Sequence, residues 1–565
     1  MNMMVERAKL LNVETESGSD ETSPRTSLDS TASKVSESYS FATTVSLQEK
    51  VDPKVISATL PLGSLNVPLI CEALDLPASD LIVLDAEMRQ LPQLGEASII
   101  GVILPNTKKI QYSVGKNEVH VQSENKDERI GLEQYHNNIF KFLQSFISGF
   151  AIERDDDRAF CGGLMGYISY EACLETLDIS APTPAGRPDL CFAFVERSIL
   201  IDHRHQVIHV QGLHYDDLDP SASKWVKDTS SIFESLSQKD ASISEFHPLS
   251  LSTHISQRVL PKESEYKSKI SQCQELISAG ESYELCLTDQ TSVTLNSHIS
   301  EWSMYKCLRS LNPANFGAYV RLGPLSLLST SPERFMKWSR FQKPCTTHSN
   351  RAKATEQTAT CQFRPMKGTV RKRQEMPDGS VHQLSREEAT EILAKPKEQA
   401  ENLMILDLIR HDLHSVCQKV SVPDLMVVED YDSVYQMVSV IEGEISKPLW
   451  FGPGEGKSGI DCLAASLPPG SMTGAPKKRS CQLLRDIEKN PRSIYSGVLG
   501  YIDVSGKGDF SVLIRSMYKW DDECGSDSVN WNIGAGGAVT TLSTEDGEWE
   551  EMLTKLQSTY RLFES

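Results

Sequence analysis

Strand-length apolar bursts, mixed with amphipathic helices in no βαβ rhythm, set the limits on how this chain folds. "LIVLD" (81–85), "SIIGVIL" (98–104) and "CFAFVERSILID" (191–202) are bounded by polar loops and predict strands. "FCGGLMGYISYEA" (160–172) sets three glycines among aromatics, which predicts close backbone approach in a buried segment. At Pro261 the character changes. "PKESEYKSKISQCQELISAG" carries Tyr266, Ile270, Cys273 and Ile277 at helical spacing and ends at Gly280, so it predicts an amphipathic helix with a glycine stop. "SYELCLTDQTSVTL" follows as a strand, then a helix near 301–310 and strands near 316–329. "SREEATEILAKPKEQAENLMILDLIRHDL" (385–413) opens on a capping box, Ser385 with Glu388, and Pro396 divides it into two helices. "EDGEWEEMLTKLQSTYRLF" is a final helix, and no internal repeat is visible.

Residues 1–50 are rich in Ser, Thr, Glu and Asp and cannot bury enough apolar surface to offset their ordering entropy; they are expected to be a disordered tail or linker. An N-terminal region, 53–250, is expected to join a second region, 255–563, through a polar stretch at about 215–255. A polar insertion at 338–360 is expected to be a mobile loop. A hydrophobic content of 39% provides for a sizeable core. The formal net charge of −20 argues against nucleic acid or an anionic membrane as partner, though not against a local basic pocket for a small anion. No apolar run reaches membrane-spanning length, and the N-terminus resembles neither a secretory signal nor an Arg-rich transit peptide. The thirteen cysteines include no C-x-x-C pair and read as reduced thiols, so a cytoplasmic protein is expected.

Several segments carry chemistry. "RPMKGTVRK" (364–372) sets Lys367 beside Gly368 in a segment that otherwise reads as a strand. A solvated lysine is the plain reading; a lysine facing an anionic or electrophilic substrate is the functional one. "LPPGSMTGAPKKRSCQLLRDIE" (467–488) runs a Gly/Ser/Thr loop into a helix starting near Pro476, where free N–H groups favour an anion. Lys477 and Lys478 in that first turn oppose the helix dipole, and a bound anion would relieve the conflict. The Gly-Lys-Ser/Thr ending of a nucleotide-binding P-loop is missing. "NIGAGGAV" (532–539) is a second glycine-rich turn, and "VLIRSMY" (512–518) places Arg515 in an apolar strand, where it needs an anionic partner. Glu398 and Glu401 share one helical face, and Glu548 and Glu551 repeat that spacing. Either pair alone reads first as a solvated acidic face; two pairs beside anion-binding loops suggest a bridging Mg²⁺. Asp407, Arg410 and Asp412 read as structural ion pairs, and His411 and His414 lack companions for a zinc site.

"RPMKGT", "KEQAENLMILDLIRHDL", "PPGSMTGAPKKRS", "YSGVLGYID" and "GEWEEMLTK" together resemble the chorismate-utilising family, which includes anthranilate, aminodeoxychorismate, isochorismate and salicylate synthases. The likeness is strong over 255–563 and weaker over 60–210. It implies an α+β, anthranilate synthase component I-like fold of two packed antiparallel sheets surrounded by helices. Lys367 sits where the aminodeoxychorismate-forming branch has lysine and the anthranilate branch usually has alanine. The resemblance then implies amination of chorismate to 4-amino-4-deoxychorismate, towards 4-aminobenzoate and folate. In that chemistry the lysine amine adds at ring carbon 2 as the carbon 4 hydroxyl leaves; ammonia adds at carbon 4 and expels the lysine. A neutral amine is needed, so a depressed lysine pKa is expected.

By the same resemblance Glu333 is the general acid/base for the hydroxyl, and Glu401 and Glu551 hold Mg²⁺ with Glu398 and Glu548 beside them. Arg515, Tyr495, Ser471, Thr369, Gly536 and Gly537 line the substrate pocket. Ammonia is expected from a glutaminase subunit or fused glutaminase domain. The nearest cysteine candidate for a glutaminase nucleophile, Cys161, lacks the preceding glycine and a downstream His-x-Glu. The alternatives are anthranilate synthase component I and a non-catalytic chorismate-binding partner of a glutaminase.

Overall fold

The computed structural model describes residues 53–564 except 87–96, 155–156, 182–183, 185, 216–219, 239–248, 342–355, 376–380, 432–433 and 449–455. Residues 1–50, and 342–355 of the expected insertion, therefore lie outside the described residues. Two twelve-stranded sheets and a two-stranded ribbon organise the unit Asp52–Ser565. Neighbouring strands pair antiparallel, as the α+β reading implies. Strands of 53–250 and 255–563 share both sheets. Leu81–Asp85 pairs with Phe316–Leu322 in the first sheet, and Gly163–Ile168 pairs with Val498–Asp503 in the second. The tight approach expected of the 160–172 glycines is found there, since a Cβ on Gly166 would fall 1.9 Å from the carbonyl oxygen of Cys191.

Alternation along the strands builds two cores. On Leu81–Asp85, Ile82 joins a core shared with the second sheet, while Leu81 and Val83 face the other way, under helices. Leu327 and Leu328 divide in the same manner. The helix-covered core takes Tyr266 from Glu263–Ser278, Trp302 and Tyr305 from Glu301–Leu311, and Met552 and Leu556 from Glu545–Tyr560. The second sheet is covered by Ile139–Ser148, Pro396–His414 and Gly459–Ser466, through Phe142, Ile405 and Leu463.

Local signals explain the helix ends. Gly280 follows Glu263–Ser278 at φ +81°, a conformation that costs glycine least. The Ser385–Glu388 capping box is formed, and Pro396 starts the second helix of its pair. The polar 215–255 stretch departs from the expectation of a plain connector, because it carries the helix Ser221–Gln238. That helix buries Ala222, Val226 and Phe233 together with Thr229 and Ser230, so hydroxyl residues on its inner face mask the apolar period. No helix among the described residues is long and apolar enough to cross a membrane.

Candidate active site

Lys367 lies on the strand Met366–Arg371, which pairs with Val434–Pro448 at one end of the second sheet. Lys367 stands opposite Met437 and Thr369 opposite Gln436, so Gly368 is the extra residue of a bulge. Its φ is +78°. A Cβ there would fall 2.8 Å from Leu393 Cδ2 and 2.9 Å from Glu398 Oε2. Glycine is thus required twice, by the left-handed backbone and by the close approach of two helices. The bulge delivers a lysine that is only 15% exposed, with Nζ 3.6 Å from Glu401 Oε2 and 3.9 Å from Glu284 Oε1. Burial alone would lower its pKa, but the carboxylates of Glu284, Glu401 and Glu333 outweigh burial and hold it above the ordinary lysine value. This reverses the depression expected from the chemistry: acids, not a cation, surround the amine.

Glu333 is buried between the strands Leu325–Ser331 and Arg334–Trp338. Burial pushes its pKa up to about 7 against the opposing pull of a hydrogen bond with Ser471 and the charge of Lys367. Glu333, Ser471 and Lys367 are therefore brought together, as the resemblance implies. Pro396–His414 supplies Glu398 and Glu401, and Glu545–Tyr560 supplies Glu548 and Glu551. Glu548 is buried and accepts a 2.6 Å hydrogen bond from Ser543 Oγ. Glu551 is paired with Lys555 at 2.7 Å. A Cβ on Gly537 would lie 2.8 Å from Glu548 Oε2 and 3.8 Å from Glu551 Oε1, so glycine keeps open the space in front of both. All-oxygen donors around an open space fit Mg²⁺ in kind. Among the described residues no three acids, histidines or cysteines stand close enough to form a metal set as they are; lysines neutralise them instead.

On the substrate side, the Tyr495 ring rests on Gly534, where a Cβ would fall 2.1 Å from Cγ. Arg515 lies not within a strand, as expected, but in the bend between the strands Gly508–Val512 and Ser516–Trp520, with φ +51°, and its carbonyl accepts from Thr330 N at 3.1 Å. Burial lowers its pKa, partly offset by Tyr495 and Glu551, so these three lie within electrostatic reach of one another. Gly536 and Gly537 stand opposite Thr288 and Leu287 on the strand Glu284–Leu295. Thr369 is exposed, and its hydroxyl accepts from Gln436 Nε2 at 3.3 Å. The lysines after the 467–476 loop are already engaged. Lys477 donates to Asp412 at 2.6 Å and to the carbonyl of Ser466 at 2.7 Å, and Lys478 faces Asp178. Protein carboxylates, rather than a bound anion, answer those two charges.

Sequence reasoning missed three residues. Glu284 is an acid at a buried position of an apolar strand, and that misplaced charge was its signal. Lys555, one turn beyond Glu551, donates to the carbonyl of Gly536 at 3.0 Å. Arg492 ties the site together. It pairs with Glu488 at 2.7 and 2.9 Å and donates to the carbonyls of Met472 at 2.7 Å and Cys286 at 2.9 Å. Glu488 in turn accepts from the backbone N–H of Thr288 at 2.8 Å. One buried ion pair thereby fixes the Ser471 turn, the Glu284 strand and the approach to Tyr495.

A family model described as chorismate binding enzyme matches residues 102–561. Two yeast relatives, from Schizosaccharomyces pombe and Saccharomyces cerevisiae, are 34% and 35% identical over 522 and 464 residues; the second is named aminodeoxychorismate synthase. The alignments take in 89% and 76% of this chain, which spans only 65% and 53% of the relatives' length. The fold is that of anthranilate synthase component I from Streptococcus pneumoniae, with a TM-score of 0.61 at 22% identity over 82% of this chain and 92% of that one.

Proposed function

The chain belongs to the chorismate binding enzyme family, and from that premise we propose that it converts chorismate and ammonia to 4-amino-4-deoxychorismate through the amine of Lys367. The observation that carries the reading is the lysine itself, placed by a glycine bulge between Glu284 and Glu401. A nucleophile so held can split one hard substitution into two easier ones. Lys367, once it has shed its ammonium proton to solvent, adds at ring carbon 2 of chorismate while Glu333, poised with a pKa of about 7, gives its proton to the departing hydroxyl; the adduct nitrogen then returns a proton to Glu333 and ends neutral. Ammonia then adds at carbon 4 and Lys367 leaves. Arg515 and Tyr495 hold one carboxylate of the dianionic substrate, Ser471 contributes a hydroxyl, and Lys555 adds positive charge beside Gly536. Mg²⁺ held by Glu401 and Glu551, with Glu398 and Glu548 beside them, would supply charge compensation for the ring carboxylate.

We assign the nitrogen to a glutaminase partner or domain. Cys161 supports this: it is buried against Asp503, and burial with that carboxylate raises its thiol pKa, the opposite of a nucleophile. The described cysteines are free thiols, which supports a cytoplasmic setting. The test of the reading is turnover of chorismate with Mg²⁺ and ammonium, followed by product identification, in wild type and Lys367→Ala. Aminodeoxychorismate from the wild type, at least 100-fold slower in the variant, is expected on the scale of a lost catalytic group. Anthranilate as the wild-type product would overturn it.

A further inference from the structure

Among the described residues, Glu284 is a buried acid that the proposed reaction leaves unused. Its side chain is 1% exposed, and neither carboxylate oxygen accepts a hydrogen bond from the protein. Buried carboxylates are normally hydrogen-bonded, so two bare oxygens call for a physical reason. The one ion-pair partner of Glu284 among the described residues is Lys367, at 3.9 Å, too far for a hydrogen bond. Glu401 and Glu548 add negative charge around it and Lys555 adds positive charge. The two bare oxygens of Glu284 are buried acceptors, so they suit a small cation with several donors.

The proposed chemistry makes this sharper. When Lys367 forms its bond to the substrate, it gives up its positive charge. Glu284 is then a buried charge without its partner, a costly arrangement. An ammonium ion restores both the charge and the missing donors in the volume of a water molecule.

We propose that Glu284 is the binding residue for ammonium, the nitrogen donor, and that the site is completed when Lys367 becomes covalently occupied. This rests on the lysine reading above. The step balances. Ammonium passes a proton to the Glu284 carboxylate and becomes ammonia. Its lone pair forms the new bond to carbon 4 as the ring double bonds shift and the bond from carbon 2 to Nζ breaks. That electron pair returns to Nζ, which takes up a proton shed by the incoming nitrogen. The proton on Glu284 then passes to Nζ, restoring the original ion pair.

The test compares wild type with Glu284→Gln and Glu284→Asp, using ammonium chloride as the nitrogen source. KM for ammonium is measured at saturating chorismate, and KM for chorismate at saturating ammonium. Potassium, close to ammonium in size, is added as a competitor at constant ionic strength. Intact mass after incubation with chorismate and Mg²⁺ alone reads the lysine adduct. The expected result for Glu284→Gln is an ammonium KM raised about 10- to 100-fold, the range for a lost hydrogen bond to a charged group. Chorismate KM stays within about twofold, the adduct still forms and potassium no longer competes; Glu284→Asp, which keeps the charge, falls between. An ammonium KM within twofold of wild type, or an equal rise in both KM values, overturns the ammonium site. A wild type that makes product without ever showing the adduct overturns the lysine reading instead, and the ammonium KM of Glu284→Gln then judges the carboxylate by itself.

Discussion

Gly368→Ala isolates the bulge that aims Lys367. The backbone there has φ +78°, where an L side chain costs about 1–2 kcal/mol. The added methyl meets Leu393 Cδ2 at 2.8 Å and Glu398 Oε2 at 2.9 Å, an overpacking cost of about 1–3 kcal/mol. Together these give about 2–5 kcal/mol. An unfolding entropy of about 2.1 cal/mol/K per residue over roughly 500 residues converts each kcal/mol to about 1 °C, so the midpoint drops about 2–5 °C. Activity responds far more. Relief of the clash moves the strand by a fraction of an ångström to one ångström at the lysine, and a misplacement of that size costs about 100-fold in kcat. Gly115→Ala is the control: φ is +75°, but a Cβ there meets nothing within 4 Å. It should lose about 1–2 °C and no activity. The assays are differential scanning calorimetry and ammonium-dependent turnover. A Gly368→Ala enzyme with full kcat would refute the claim that the bulge positions the nucleophile.

Other outcomes follow from the same geometry. Glu333 must be protonated to assist the departing hydroxyl, and its pKa is raised to about 7, so kcat/KM should fall as pH rises through that value; Glu333→Gln should lose about 100-fold in kcat and flatten that limb. Excess EDTA should abolish turnover, and Glu401→Gln or Glu551→Gln should raise the Mg²⁺ needed for half-maximal rate; full activity in EDTA would remove the metal assignment. Glu171 is buried with its pKa raised to about 8, so the folded state prefers its neutral form and stability declines between the unfolded value near 4.5 and about 8. Glu171→Gln should therefore be more stable than wild type at pH 8, with the advantage shrinking towards pH 5; denaturant midpoints at the two pH values check the sign. The purified chain should use ammonium but not glutamine, and equal product from both would reveal an amidotransferase site.

The site was more legible in the sequence than its electrostatics. Lys367, Glu333 and the two acidic pairs could be singled out because motif order and three-residue spacing are local properties, and the described helices carry both pairs. The glycines of "NIGAGGAV" were misread as a turn; they lie in the strand Val529–Val539, and the partners they approach, Tyr495 and Glu548, come from other parts of the chain. The sign of the lysine shift was missed for that reason. Glu284 reaches Lys367 from the first sheet and Glu401 from a helix on the second, and no local pattern reports such a meeting. Lys477 was misread in the same way, since its answering charge, Asp412, lies on another helix. The helix Ser221–Gln238 escaped because serine and threonine on its buried face interrupt the apolar period.

The central claim is a covalent role for Lys367, and one mass measurement tests it most directly. The protein is incubated with chorismate and Mg²⁺ in the absence of any nitrogen donor, quenched, and examined intact and after proteolysis. The account predicts a species heavier by chorismate less one water, located on the peptide bearing Lys367, lost on adding ammonium and absent from Lys367→Ala. Rapid ammonium-dependent turnover by a wild type that never shows this species, or an adduct on any other residue, would contradict it.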